Sequence, residues 1–116
     1  MTNGSMAKGT SAESAVVRCL APLWPMAERR AKQGAKDRGD VGGVIPHLVI
    51  EVKARPKRYE IAEWLKEADI EGLNDNAELA VVWFKLKGKT DPLDWPVMMR
   101  GRFFVPLLQK WSGNGA

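Results

Sequence analysis

The spacing of hydrophobic residues along the chain predicts at least two helices. The first begins at the capping-box pattern Thr10-Ser-Ala-Glu13 and continues to about Leu20. The apolar stripe of this helix comprises Val16, Leu20 and either Ala12 or Cys19. The second helix spans residues 59–73, and three of its residues share one apolar face: Ile61, Leu65 and Ala68.

Runs of β-branched and aromatic residues predict the strands. Four segments have this character: a short stretch within 27–43, then 44–54, 79–87 and 95–100. The strongest is 44–54, with Pro46 at its entrance. Residues 103–105 have the composition of a further short strand, and Pro106 begins a last helix that ends at Trp111. Helices alternating with strands predict an α/β fold, a mixed β-sheet flanked by helices.

Length and composition place the chain among single-domain globular proteins. Its 116 residues are 45% hydrophobic and 28% charged. We expect a flexible N-terminus over 1–10, one domain over 11–111 and a disordered tail over 112–116. With no run of roughly 20 apolar residues and no secretion signal, a cytoplasmic location in a bacterial, archaeal or phage-infected cell is expected. One cysteine and one histidine are too few for a zinc site or a catalytic triad.

Positive charge is concentrated in the first half of the chain. Residues 1–58 contain eleven Lys and Arg against five Asp and Glu, whereas residues 59–116 contain seven against nine. The excess lies largely in one segment: Arg29, Arg30, Lys32, Lys36 and Arg38. Such a one-sided basic patch is typical of a phosphate-binding surface, so DNA is the expected partner. The alternative is a solvated loop that is basic without binding anything.

The strand at 44–54 carries the residues with the clearest chemistry. Because side chains alternate along a strand, Glu51 and Lys53 share a face, opposite to a wholly apolar face. Asp40 lies eleven residues upstream, directly after Gly39. Two carboxylates suit a hard cation such as Mg²⁺ or Mn²⁺, and the Val52 carbonyl is a candidate third ligand. The alternative is that this end of the strand emerges into water and the charges are solvated.

These residues resemble a known motif. Gly39-Asp40 followed by Glu51-Val52-Lys53 resembles the signature of PD-(D/E)xK nucleases, with Gly in place of the usual Pro. A predicted helix carrying Glu13 precedes Asp40, and a helix and an apolar strand follow Lys53. Within this superfamily the chain is most similar to archaeal-type Holliday junction resolvases and related phage-encoded nucleases. The resemblance covers about residues 8–90.

The resemblance implies a structure and an activity. It implies a restriction-endonuclease-like fold, cleavage of branched DNA with Mg²⁺ or Mn²⁺, and a homodimer with two active sites. By position, Asp40 and Glu51 become metal ligands, Lys53 the catalytic lysine and Glu13 a helix-borne catalytic acid. Arg55, which ends the motif, joins the basic residues that contact DNA. The dimer interface is expected around the third long strand and beyond: Trp95, Pro96, Met98, Met99, Phe103 and Phe104.

Several of these residues have alternative interpretations. Glu13 is also the last residue of the capping box, Asp37 could replace Asp40 as a ligand, and His47 is either a plain loop residue or a DNA contact. The acidic residues of the second helix are expected to form a solvated face: Glu60, Glu63, Glu67, Asp69 and Glu71. At the level of function, the alternatives are a flap, single-strand or nicking nuclease, and a non-catalytic DNA-binding or assembly protein on the same fold.

Overall fold

The computed structural model describes residues 4–31, 34–36, 38–54 and 58–113. The helices and strands within these ranges are, in chain order, α1 (Gly4–Leu20), β1 (Glu28–Arg29), β2 (Val41–Gly42), β3 (Leu48–Lys53), α2 (Ile61–Asn74), β4 (Leu79–Phe84), β5 (Val97–Met99) and α3 (Gly101–Ser112). Two short 3₁₀ helices connect them, at Gly34–Lys36 and Pro92–Asp94. The predicted α/β class is confirmed, and none of the described helices is long and apolar enough to cross a bilayer.

The five strands form one mixed sheet in the order β1-β2-β3-β4-β5. Neighbouring strands are antiparallel except for the central pair, β3 and β4, which are parallel and joined through α2. In this pair Glu51 lies beside Val82, and Lys53 lies beside Phe84. A parallel connection needs a crossover, so α2 must return across one face of the sheet. The crossover brings α2 over the side chains of β3.

Each face of the sheet packs on a different helix. On one face, Ile50 and Val52 of β3 form a core with Ala12 and Val16 of α1. On the other face, Val49 packs with residues of α2 and β4, namely Trp64, Ala68, Ala80 and Val82. The predicted alternation along β3 is therefore confirmed. Its consequence is that Glu51 and Lys53 face α2, because they have the same parity as Val49.

The structure corrects the predicted starts of two helices. Helix α1 begins at Gly4, so Thr10–Glu13 lies inside the helix and does not cap it. Helix α3 begins at Gly101, which places the predicted strand at 103–105 within a helix and Pro106 at its sixth position. Arg100 in an extended conformation precedes α3, and Gly113 in the left-handed region ends it.

The buried stripes of two elements also differ from prediction. In α2 the buried residues are Trp64, Ala68 and Glu71, whereas Ile61 is half exposed. Trp64 is buried in place of Ile61 because its ring packs against Tyr59, just before α2, and against Phe84, the last residue of β4. Trp95, an expected interface residue, is buried in the core beside α1, where its indole N–H donates to the Lys89 carbonyl at 2.9 Å.

Candidate active site

Four buried carboxylates lie along the middle of the structure. They are Glu13, Asp40, Glu51 and Glu71, with exposed fractions of 8%, 2%, 2% and 8%. Within the described ranges, these four are all of the buried polar or charged residues. An ionised carboxylate that leaves water is strongly destabilised unless hydrogen bonds or a cation compensate for the lost hydration. The concentration of all four around β3 is therefore the feature that requires explanation.

Asp40 is held by hydrogen bonds to the backbone of β3. Its N–H donates to the Ile50 carbonyl at 2.8 Å, and its Oδ2 accepts from the Val52 N–H at 2.7 Å. The Asp40 carboxylate thus accepts the Val52 N–H, a donor that a backbone carbonyl of β2 would accept if β2 extended further along β3. Gly39 permits this turn, because its φ is +96° and a Cβ there would lie 3.1 Å from the Ile50 carbonyl oxygen.

Glu51 occupies the centre of the carboxylate group. Its Oε2 is buried and accepts no hydrogen bond from the described residues. Burial is the main cause that raises the pKa of Glu51 far above its usual value, and the neighbouring carboxyls of Glu71 and Asp40 raise it further. Asp40 and Glu51, predicted from the sequence as joint ligands, are therefore close enough to interact electrostatically. That they share one ion stays a prediction.

Lys53 lies at the open side of the same group. Its Nζ is 2.6 Å from Glu67 Oε2 and 3.8 Å from Glu51 Oε1. The Lys53 side chain is partly exposed, and that of Glu67 is half exposed. The ammonium group consequently borders both solvent and the buried carboxylates. In this position it can reach a group that enters from solvent.

Glu13 approaches Asp40 from α1. Burial raises the pKa of Glu13 to about 6, the Asp40 carboxyl contributes to the increase, and Arg29 opposes it. The Arg29 Nε lies 3.3 Å from Glu13 Oε2. Because α1 begins nine residues earlier, the capping role considered for Glu13 is wrong. Its side chain instead borders the buried group, where a carboxyl with this pKa can gain or lose a proton near neutral pH.

The predicted DNA-binding residues are in different environments. Arg30 and Arg38 both approach Asp75 at the end of α2, at 3.7 and 3.4 Å, and Arg30 also donates to the Arg38 carbonyl at 2.7 Å. These contacts tie the basic segment to the end of α2. Lys36 is exposed on the 3₁₀ helix. The predicted contacts Lys32 and Arg55, and the alternative ligand Asp37, lie outside the described residues.

Sequence reasoning missed the contribution of α2. It assigned Glu71 to a solvated face, but Glu71 is buried; Glu67 is exposed as predicted, yet it binds Lys53. Oxygens of Glu51, Glu67 and Glu71 lie within 4.8 Å of one another. The available signal was the i, i+4 spacing of the two glutamates on the helix that follows the motif strand. His47, by contrast, lies at the start of β3, with its Nδ1 3.1 Å from the Asn76 carbonyl oxygen.

The donor set fits a hard divalent cation. Carboxylate oxygens are the ligands that Mg²⁺ and Mn²⁺ prefer, and a cation compensates for negative charge that is clustered away from water. The buried Glu51 Oε2, which accepts no hydrogen bond within the described ranges, is the atom that such an ion satisfies best. No protein-family model, curated protein or solved structure matches the chain.

Proposed function

We propose that this protein is a Mg²⁺- or Mn²⁺-dependent endonuclease that hydrolyses phosphodiester bonds of DNA. The observation that carries the proposal is the buried Glu51 Oε2, which lies among carboxylates and accepts no hydrogen bond within the described ranges. A structural role for Glu51 would require a donor for this atom, whereas a cation-binding role explains why the described residues offer none. The adjacent Lys53 adds the positive group that phosphoryl chemistry needs.

In the proposed mechanism each residue has one task. Asp40 and Glu51, with the Val52 carbonyl, would hold the cation. When bound, Mg²⁺ or Mn²⁺ polarises the scissile phosphate and lowers the pKa of a water molecule. Lys53 Nζ, which borders solvent, donates hydrogen bonds to the negative charge that develops on the phosphoryl oxygens. Glu13, with its pKa of about 6, can take up a proton from the reacting groups.

The order of elements supports the nuclease assignment. Glu13 is on α1, Asp40 precedes β2, Glu51 and Lys53 are on β3, and α2 and β4 follow. This order matches the one in which the residues that resemble the PD-(D/E)xK motif follow each other in the sequence, and we therefore propose a restriction-endonuclease-like fold. Branched DNA is the proposed substrate, on the resemblance to Holliday junction resolvases. Flap, duplex and single-stranded DNA are the competing substrates.

Cleavage assays on a panel of DNA structures test the proposal. Labelled four-way junction, flap, duplex and single-stranded DNA are each incubated with the protein and Mg²⁺, and parallel reactions contain EDTA. We expect metal-dependent cleavage, with the four-way junction cut fastest. Faster cleavage of another DNA structure would support the nuclease activity but contradict the four-way junction as the preferred substrate. If the protein binds DNA but cleaves none of these structures with either Mg²⁺ or Mn²⁺, the alternative of a non-catalytic DNA-binding protein would be favoured instead.

DNA affinity is expected to depend strongly on salt and weakly on sequence. Phosphate contacts release condensed counterions, so each contact adds about 0.9 to the slope of log K against log salt concentration. Neutralising Lys32 and Lys36 together, as Gln, should therefore reduce the slope by about 1 to 2 units. Fluorescence anisotropy of labelled duplex DNA, titrated at several salt concentrations, measures the slope.

The matched control for this experiment neutralises two lysines elsewhere. Lys87 lies in the turn after β4 and Lys110 lies on α3, and both are exposed. The Lys87→Gln/Lys110→Gln variant has the same net charge as the test variant, so it separates local contact from overall charge. An unchanged slope in the Lys32→Gln/Lys36→Gln variant would identify the basic segment as a solvated loop.

A homodimer is the proposed assembly, because symmetric cleavage of a junction needs two sites related by a two-fold axis. The surface we propose for it is the exposed apolar stripe of α3, at i, i+3, i+4 and i+7: Phe104, Leu107, Leu108 and Trp111. Trp111 is 93% exposed in the single chain. Light scattering should give the dimer mass for the native protein and for Gln109→Glu, and the monomer mass for Leu108→Glu. A native monomer that still cuts DNA would contradict the dimer but not the nuclease.

A further inference from the structure

Helix α2 presents two glutamates to the central strand. The crossover from β3 to β4 lays α2 over the face of β3 that carries Glu51, and the i, i+4 spacing points Glu67 and Glu71 in the same direction. Oxygens of the three carboxylates lie within 4.8 Å of one another. Two of the three residues, Glu51 and Glu71, are buried, and Glu67 faces solvent at the rim.

The burial and hydrogen bonding of Glu51 also point to a bound cation. Its side chain is 3% exposed, and its Oε2 accepts no hydrogen bond from the described residues. Lys53 contributes positive charge at the rim of the trio, but its Nζ is 3.8 Å from Glu51 Oε1 and much closer to Glu67. The rim ammonium does not compensate for the lost hydration of Glu51 Oε2, because this oxygen is buried and accepts no hydrogen bond within the described ranges.

We propose that Glu51, Glu67 and Glu71 bind a divalent cation of their own on the α2 side of β3. This ion is additional to the one assigned to Asp40 and Glu51, so Glu51 would serve both. Its role in cleavage rests on the proposed function, but its binding does not. Three carboxylate oxygens provide half of the six ligands that Mg²⁺ or Mn²⁺ takes, and the half-exposed Glu67 leaves a solvent side for water or a phosphate oxygen.

The site also affects Lys53. The Lys53 Nζ donates to Glu67 Oε2 at 2.6 Å, so a cation bound by Glu67 competes with this ammonium for the same carboxylate. Binding of the ion would release Lys53 from Glu67 and free it to contact a phosphate. Conversely, replacing Lys53 with Met removes the competitor and should raise the affinity of the site for the cation.

Mn²⁺ binding to the full-length chain tests the proposal. Electron paramagnetic resonance of free Mn²⁺ gives the number of bound ions and their affinities. We expect two ions per native chain. Glu71→Gln and Glu67→Gln should each weaken one of them at least about tenfold, a loss no smaller than that seen when a residue that hydrogen-bonds a metal ligand is removed. Glu63→Gln removes the same charge from an exposed position of α2, so it should retain both ions.

The outcomes separate this site from the nuclease proposal. Bound Mn²⁺ whose affinity is unchanged in both Glu71→Gln and Glu67→Gln, whether one or two ions bind per native chain, would overturn this site even if the protein cuts DNA. Loss of one ion in these variants would support the site even if no DNA is cut. Because Glu67 is half exposed, Glu67→Gln should fold normally, and its circular dichroism spectrum compared with that of Glu63→Gln verifies this.

Discussion

Replacing Asp40 by Asn is expected to abolish metal-dependent cleavage and to leave DNA binding intact or improved. The amide oxygen of Asn can still accept the Val52 N–H, so the edge of β3 should keep its geometry. The change removes a charged ligand, and loss of the several kcal/mol that a metal ion contributes corresponds to roughly 10²- to 10⁴-fold in rate. Binding should not weaken, because one negative charge near the phosphates is removed. Single-turnover cleavage and anisotropy measure the two effects.

The matched control is Asp94→Asn, at an exposed position of the second 3₁₀ helix. It makes the same chemical change away from the carboxylate group and should cleave at the native rate. If Asp40→Asn cleaves DNA at the native rate, Asp40 is not part of the catalytic centre. Equal loss of cleavage in both variants would point to a general effect of charge rather than to a lost metal ligand.

The metal-free protein is expected to lose stability as pH rises from 6 to 8. Burial raises the pKa of Glu51 well above its unfolded value, and that of Glu13 to about 6. Above pH 4.5, a carboxyl with a raised folded-state pKa stays protonated in the folded protein but ionises in the unfolded protein. The free energy of unfolding therefore falls as pH rises from 4.5 to the folded-state pKa. Most of the effect of Glu13 is complete by pH 6, and Glu51 dominates above it. Thermal unfolding in EDTA at several pH values measures the trend.

Two comparisons assign this pH dependence to the carboxylate group. Glu51→Gln cannot ionise, so the variant should be more stable than the native protein at pH 8 and its stability should vary less with pH. Saturating Mn²⁺ should raise the native melting temperature most at pH 8, because the ion favours the ionised carboxylates. Glu63→Gln should follow the native curve. A native melting temperature that does not fall between pH 6 and 8 in EDTA would contradict the raised pKa of Glu51.

Local patterns determined the centre of the site. The alternation of apolar and charged residues on β3 has a period of two, so it alone establishes that Glu51 and Lys53 share a face with Val49. The motif residues Asp40, Glu51 and Lys53 were likewise read from their spacing along the chain. These features depend on a few neighbouring residues. For this reason they could be predicted without knowledge of the rest of the chain.

Other local signals were overridden by their surroundings. The capping box at Thr10 has the right residues, but α1 continues through it from Gly4, because the competing helical hydrogen bonds of the preceding residues are also available. Pro106 was expected to begin α3, yet the helix starts at Gly101. A helix can often begin at any of several neighbouring residues, and a short stretch of sequence does not show which one is used.

The members of the site that lie far from the motif were decided by tertiary structure alone. Glu71 is twenty residues from Glu51, and on an isolated helix it would be one more solvated acid. It becomes buried because the parallel pairing of β3 and β4 forces α2 to cross the face that carries Glu51. Arg38 likewise reaches Asp75 only because that crossover ends beside the basic segment. The sequence by itself therefore determined which residues of β3 carry the chemistry, since alternation is local, whereas the fold decided which distant carboxylates surround them, since strand pairing and helix crossing are long-range.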